Sequence, residues 1–150
     1  MKLWRISTYV DLSGEGGRYA SGRWHLKGRR VIYAAETAAL AMIEYLVNVG
    51  DRSRIPDNAC LFSISIPQAM SRSEIDIAQL PRDWKNQELV TRQLGSLWLD
   101  QCSTALLKVP AATAPEASNY LINPGHADSR LCSIVDRYMP PFDKRLLPLK

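Results

Sequence analysis

The chain has 150 residues, of which 46% are hydrophobic and 23% charged, a balance that suits one globular domain around a single sizeable core. No apolar run approaches the roughly 18 residues that cross a bilayer. Arg5 interrupts the stretch where a signal peptide carries its apolar segment, so the expectation is a cytoplasmic protein with no membrane association.

The net charge of +4 is mildly basic. Its excess gathers at Arg18, Arg23, Lys27, Arg29 and Arg30 with no acid among them. Such a cluster suits a phosphate-bearing partner, and equally a solvated loop. Cys60, Cys102 and Cys132 are widely spaced without a Cys-x-x-Cys pair, and His25 and His126 add no ligand spacing. Free thiols and no metal site are expected.

In chain order, residues 3–7 read as an opening strand with Arg5 inside it. Ser13-Gly-Glu-Gly-Gly17 breaks regular structure and permits close approach of backbone to a ligand, but it is neither a P-loop nor a dinucleotide fingerprint. The β-branched and aromatic run 30–35 predicts a second strand, which feeds directly into a helix over 37–48. Thr37 is its expected N-cap and Gly50 its left-handed stop, and Glu44 is the one carboxylate on a mostly apolar surface.

Residues 57–67 alternate Cys60, Phe62, Ile64 and Ile66 with Leu61, Ser63 and Ser65, which predicts a strand with one buried face. A polar, irregular excursion over 70–85 follows. Residues 86–102 carry Leu89, Val90, Leu94, Leu97 and Trp98 at helical spacing, expected to face the core. A strand over 105–109, a loop or short helix over 111–125, a strand over 131–135 and a proline-punctuated tail complete the chain. Strands, helix, strand, helix and strands in this order predict a mixed α/β (α+β) domain rather than a doubly wound parallel sheet.

Arg5, Arg23, Tyr33, Glu44 and Ser118 are the polar and aromatic residues best placed for chemistry. Tyr33 runs into the helix that bears Glu44, so the two can flank one cleft, and Arg23 precedes them in a glycine-flanked loop. A guanidinium pairs with phosphate, a tyrosine offers a flat face, and a carboxylate bonds ribose hydroxyls and stabilises charge at an anomeric carbon. Nicotinamide adenine dinucleotide (NAD) fits that set as a substrate, with no further cofactor. Each residue also has a plainer role: Glu44 as part of an exposed stripe with Thr37, Ala41 and Asn48, Tyr33 as core, the arginines as surface ion-pair partners, Ser118 as a cap.

Several motifs resemble the RES-domain family, the toxin half of bacterial Xre–RES toxin–antitoxin pairs. They are Trp4-Arg-Ile6, Gly16-Gly-Arg18, Gly22-Arg-Trp24, Val31-Ile-Tyr-Ala-Ala-Glu36, Ala39-Leu-Ala-Met-Ile-Glu-Tyr45, Glu116-Ala-Ser-Asn-Tyr-Leu-Ile-Asn-Pro124 and Phe142-Asp-Lys-Arg145. The resemblance spans nearly the whole chain as one RES domain. It implies an ADP-ribosyltransferase-like fold with a split, mixed central sheet flanked by helices, and loss of NAD by hydrolysis or phosphorolysis.

Carried onto this sequence, the resemblance places the catalytic set on Glu44, Arg23, Tyr33 and Ser118. Substrate contacts fall to Arg5, Arg23, Tyr33 and Asn119, and the family arginine falls on either Arg5 or Arg23. It further implies an Xre-type helix-turn-helix antitoxin, a homodimer within a larger toxin–antitoxin complex, and no direct contact with nucleic acid. ADP-ribosyl transfer to a protein is the alternative; an RNA-binding or RNA-cleaving toxin is the more distant one, because no aromatic stacking ladder or RNA-binding motif is present.

Overall fold

The computed structural model describes residues 1–149. Seven strands form one mixed sheet: β1 (Lys2–Ser7), β2 (Ile32–Ala35), β3 (Cys60–Ser65), β4 (Arg72–Glu74), β5 (Leu106–Pro110), β6 (Ser118–Ile122) and β7 (Ser133–Tyr138). Their order is β4-β5-β6-β2-β1-β3-β7. Among the described residues only β4 and β5 run parallel; the other paired strands are antiparallel. The two helices are α1 (Ala38–Val49) and α2 (Glu88–Gln101). No helix among the described residues is long and apolar enough to cross a membrane.

The sheet is weakest at its middle. β1 pairs with β3 along its whole length, but it meets β2 at a single position, Trp4↔Ala35. Two half-sheets therefore splay apart beyond that pair. A backbone carbonyl left without a strand partner needs another donor. Arg5 supplies it, its Nη1 donating to the Tyr33 carbonyl at 2.8 Å.

Both helices lie on one face, each over its own half. Leu40 and Ala41 of α1 pack with Ile6, Ala35, Leu61 and Phe142, whereas Trp98 and Leu99 of α2 pack with Trp24, Val31, Leu107 and Leu121. The other face buries Leu3, Ile32, Phe62, Ile64 and Ile122 beneath loop residues such as Val10, Leu12 and Met70. The seam between the helix clusters is where a cleft opens.

α1 forms as its caps dictate. Thr37 Oγ1 accepts the Leu40 amide at 3.1 Å, and Gly50 closes the helix at φ +65°, its N–H on the Leu46 carbonyl. β3, by contrast, is buried on both faces. Leu61 lies under α1 while Cys60, Phe62 and Ile64 face the opposite core. Ser63 is tolerated at 0% exposure because its hydroxyl donates to Asp136 of β7 and accepts that residue's amide.

The inward face of α2 differs from the one its leucines predict. Leu89 and Leu97 are 60% and 55% exposed, and the buried residues are Thr91, Gly95, Ser96, Trp98 and Leu99. The helix lies on the irregular backbone just before β2, whose polar groups need partners. Thr91 Oγ1 donates to the Arg23 carbonyl at 2.6 Å, Ser96 Oγ accepts the Leu26 amide at 2.9 Å, and Arg92 Nε donates to the Gly22 carbonyl at 2.8 Å. Thr91, Ser96 and Gly95 are small enough to let the two backbones approach, where leucines would hold them apart.

Two further segments depart from expectation. The segment expected as a loop or short helix contains β6, bonded to β5 and β2 on either side. The excursion after Met70 contributes β4 at one sheet edge.

Candidate active site

A cleft runs along the seam between β1, β2 and α1. Its inner part, about 120 Å³, is bounded by Trp4, Arg5, Tyr33, Glu44, Tyr45 and Asn119. It opens into a wider outer chamber of about 630 Å³ that shares Arg5, Tyr33, Glu44 and Asn119 and adds Arg23, Arg54 and Thr113.

Glu44 stands half-buried at the end of the second turn of α1. Its Oε1 accepts two hydrogen bonds of 2.7 Å, from Thr113 Oγ1 and Asn119 Nδ2. Among the described residues no cation pairs with it, and Oε2 has no hydrogen-bond partner. One oxygen thus fixes the carboxylate while the other is left for the cleft. Of the stripe Thr37, Ala41, Glu44 and Asn48 the two ends are exposed, but Ala41 is buried and Glu44 lines the cleft.

The structure separates the two arginines. Arg5 spans the seam, makes no ion pair among the described residues, and holds its guanidinium in the cleft wall. Burial pulls its pKa below the ordinary arginine value, with Asp11 partly opposing. A desolvated, unneutralised cation is a ready anion receptor. Arg23 lies at the outer chamber, where Glu88 is 3.7 Å from its Nη2, the Lys85 carbonyl accepts from its Nη1 at 3.1 Å, and Trp84 underlies it at 5.9 Å.

Tyr33 turns its ring to the cleft and buries its hydroxyl behind it. The Gly17 carbonyl can only accept, so His25 Nε2, 3.0 Å away, carries the imidazole proton. His25 Nδ1 then accepts from the Tyr33 hydroxyl at 2.7 Å and from the Gly22 amide at 3.2 Å, and the Trp24 amide donates to the same hydroxyl oxygen. Burial lifts the Tyr33 phenol well above its usual range, which suits a wall rather than a proton carrier. Gly22 is required here, since a Cβ would lie 2.4 Å from the Tyr33 hydroxyl oxygen.

His25 itself is 2% exposed, and burial is the main cause of its lowered pKa, with Arg29 and Arg92 pushing the same way. The unfolded chain takes up this proton near pH 6.5, whereas the folded chain does so only at lower pH. The stabilisation from neutral His25 is therefore complete above pH 6.5 and lost as pH falls below it. Thermal midpoints are expected to drop between pH 7.5 and 5.5, above the range where carboxylates titrate. His25→Gln should flatten that slope; an unchanged slope would remove His25 as its origin.

Ser118 is not brought to the cleft. Side chains alternate along a strand, so Asn119, which reaches Glu44, turns Ser118 to the other side. Ser118 borders a separate cavity with Glu74, Lys85 and Glu116, and its amide donates to Glu36 Oε1 at 2.9 Å. The hydroxyl that reaches Glu44 is that of Thr113, which the sequence does not signal in its Ala-Ala-Thr-Ala setting. Trp4 and Tyr45, which the sequence offers only as members of the family motifs, line the inner cleft, while His25 registers in the sequence only as a non-ligand. Among the described residues no group of three or more His, Cys, Asp or Glu is placed to hold a metal ion.

A RES domain matches residues 2–143. The chain belongs to the RES-domain family. It is 43% identical to "Toxin Res" of Pseudomonas putida (strain KT2440) over 97% of this chain and 99% of that protein. It is 36% identical to the "Prs ADP-ribosylating toxin" of Sphingobium sp. (strain YBL2), covering 85% of each. The fold is that of a chain in the crystal structure of the Mycobacterium tuberculosis MbcT–MbcA toxin–antitoxin complex, with a TM-score of 0.65 at 16% identity over 92% of this chain and 82% of that one. The protein is accordingly a RES-family toxin with the mixed-sheet fold of its structural relative.

Proposed function

We propose that this RES-family toxin degrades NAD by breaking the bond between nicotinamide and ribose. The observation that carries the reading is Glu44: a carboxylate with one oxygen clamped by Thr113 and Asn119, the other unpaired, in a cleft whose opposite wall holds an unneutralised Arg5. When the C1′–N bond breaks, its electron pair leaves with nicotinamide, which departs neutral, and positive charge develops on the ribosyl carbon and ring oxygen. A fixed carboxylate stabilises that charge without reorganising. Arg5 holds the diphosphate, with Arg23 at the mouth, and Tyr33 walls the nicotinamide. Water then adds to the anomeric carbon and releases a proton to give ADP-ribose, or inorganic phosphate adds to give ADP-ribose 1″-phosphate.

Antitoxin-free protein incubated with NAD should release nicotinamide, and repeating the assay with and without phosphate distinguishes the two acceptors. No release under either condition sinks the proposal.

The Sphingobium relative's name favours a second reading, ADP-ribosyl transfer to a protein acceptor at the same site. NAD labelled in its adenylate half would then leave a covalent mark on a lysate protein, whereas rapid NAD loss over an unmarked lysate supports the first reading. A toxin kept in its own host has to be held in check, and we assign that role to an Xre-type antitoxin seated over the cleft mouth.

A further inference from the structure

Arg5 borders more than the Glu44 cleft. On its other side lies a cavity of about 290 Å³ between the end of β1 and the glycine-rich turn, lined by Arg5, Tyr9, Asp11, Ser13, Gly16 and Tyr19. Its rim carries two tyrosines, 77% and 80% exposed, and neither ring stacks on another aromatic group among the described residues. Single exposed apolar groups are ordinary on a protein surface, but two rings on the rim of one cavity that opens onto a cation are a stacking platform.

The acids restrict what enters. Asp11 Oδ1 accepts the Ser13 amide and hydroxyl at 3.0 and 2.8 Å, while Oδ2 has no hydrogen-bond partner among the described residues; Glu15, also in the lining, lies 3.6 Å from Arg18. Two carboxylates repel a phosphate, yet they accept bonds from ribose hydroxyls or an exocyclic amine. The volume sits at the low end for a ligand pocket, enough for one nucleoside rather than a dinucleotide.

We infer that this cavity is the subsite for the adenosine half of the dinucleotide, reached from the Glu44 cleft across Arg5, an assignment that rests on the NAD reading above. Glu44 claims the nicotinamide ribose, Arg5 at the seam takes the diphosphate that joins the halves, and the nucleoside that remains is adenosine. Tyr9 or Tyr19 stacks on the base, and Asp11 Oδ2 accepts from a ribose hydroxyl.

The test compares the full chain with a Tyr9→Ala/Tyr19→Ala variant, whose exposed positions leave the fold intact, as a thermal melt will verify. Both are assayed for nicotinamide release from NAD and from nicotinamide mononucleotide, which lacks the adenosine half. The ratio of kcat/KM for NAD over the mononucleotide should fall about tenfold in the variant, the lower range for loss of one base–aromatic stack. A ratio within twofold of wild type overturns the subsite. If wild type releases nicotinamide from neither compound, the NAD reading has failed, and AMP titration by calorimetry decides the subsite separately. AMP binding that weakens about tenfold in the variant supports it; no AMP binding to wild type, or equal binding by the variant, overturns it.

Discussion

Glu44→Gln is expected to lower nicotinamide release from NAD by about a hundred- to a thousandfold in kcat, the range seen when one preorganised electrostatic group is removed from a transition state. The amide keeps an oxygen able to accept from Thr113 and Asn119, so side-chain placement and fold should survive. What disappears is the negative charge facing the ribosyl centre. Thermal melts verify the fold, and equilibrium binding of ADP-ribose should change far less than kcat, because the charge acts mainly on the transition state. A variant with wild-type turnover would exclude Glu44 from the chemistry.

Gly95→Ala should produce the largest loss of stability from a single methyl group. A Cβ built at Gly95 lies 1.7 Å from the Trp24 carbonyl oxygen and 2.8 Å from its carbonyl carbon. Backbone atoms cannot rotate away as a side-chain tip can, so α2 has to lift from the segment it supports. Overpacking of this kind costs about 3 kcal/mol or more. That corresponds to a fall of roughly 10 °C in thermal midpoint for a domain of this size. Lifting α2 also strains the bonds from Thr91, Arg92 and Ser96 to residues 22–26 and so loosens the support behind Tyr33. Activity should therefore decline below the melting transition, and a midpoint within about 2 °C of wild type would show that the contact relaxes cheaply.

Local sequence carried a good deal of this architecture. α1 was legible because its determinants are neighbours: Thr37 caps Leu40, Gly50 ends the helix, and Glu44 interrupts an apolar surface. The strands at 3–7, 30–35 and 105–109 were legible for the same reason, as was the mixed α/β order. β6 was hidden between Pro115 and Pro124, because a central strand of five residues gains its identity from the strands on either side rather than from its own composition. α2 shows a different limit. Its leucines mark a helix correctly, but which face turns inward depends on what it rests against, and it rests on backbone.

The site divides in the same way. By itself the sequence named Arg5, Arg23, Tyr33, Glu44 and Ser118 as candidates, added Asn119 through the family resemblance, and pointed to the family to which their order belongs. Only tertiary structure decided that Arg5 bridges a split sheet, that Arg23 stands paired with Glu88, that Ser118 faces elsewhere, and that Thr113 holds the carboxylate. Periodicity and capping are written between residues a few positions apart. The bonds that aim Glu44 join it to partners 69 and 75 positions away. No local pattern encodes that meeting, because it exists only once β6 has slotted beside β2 and brought its strand and preceding loop against α1.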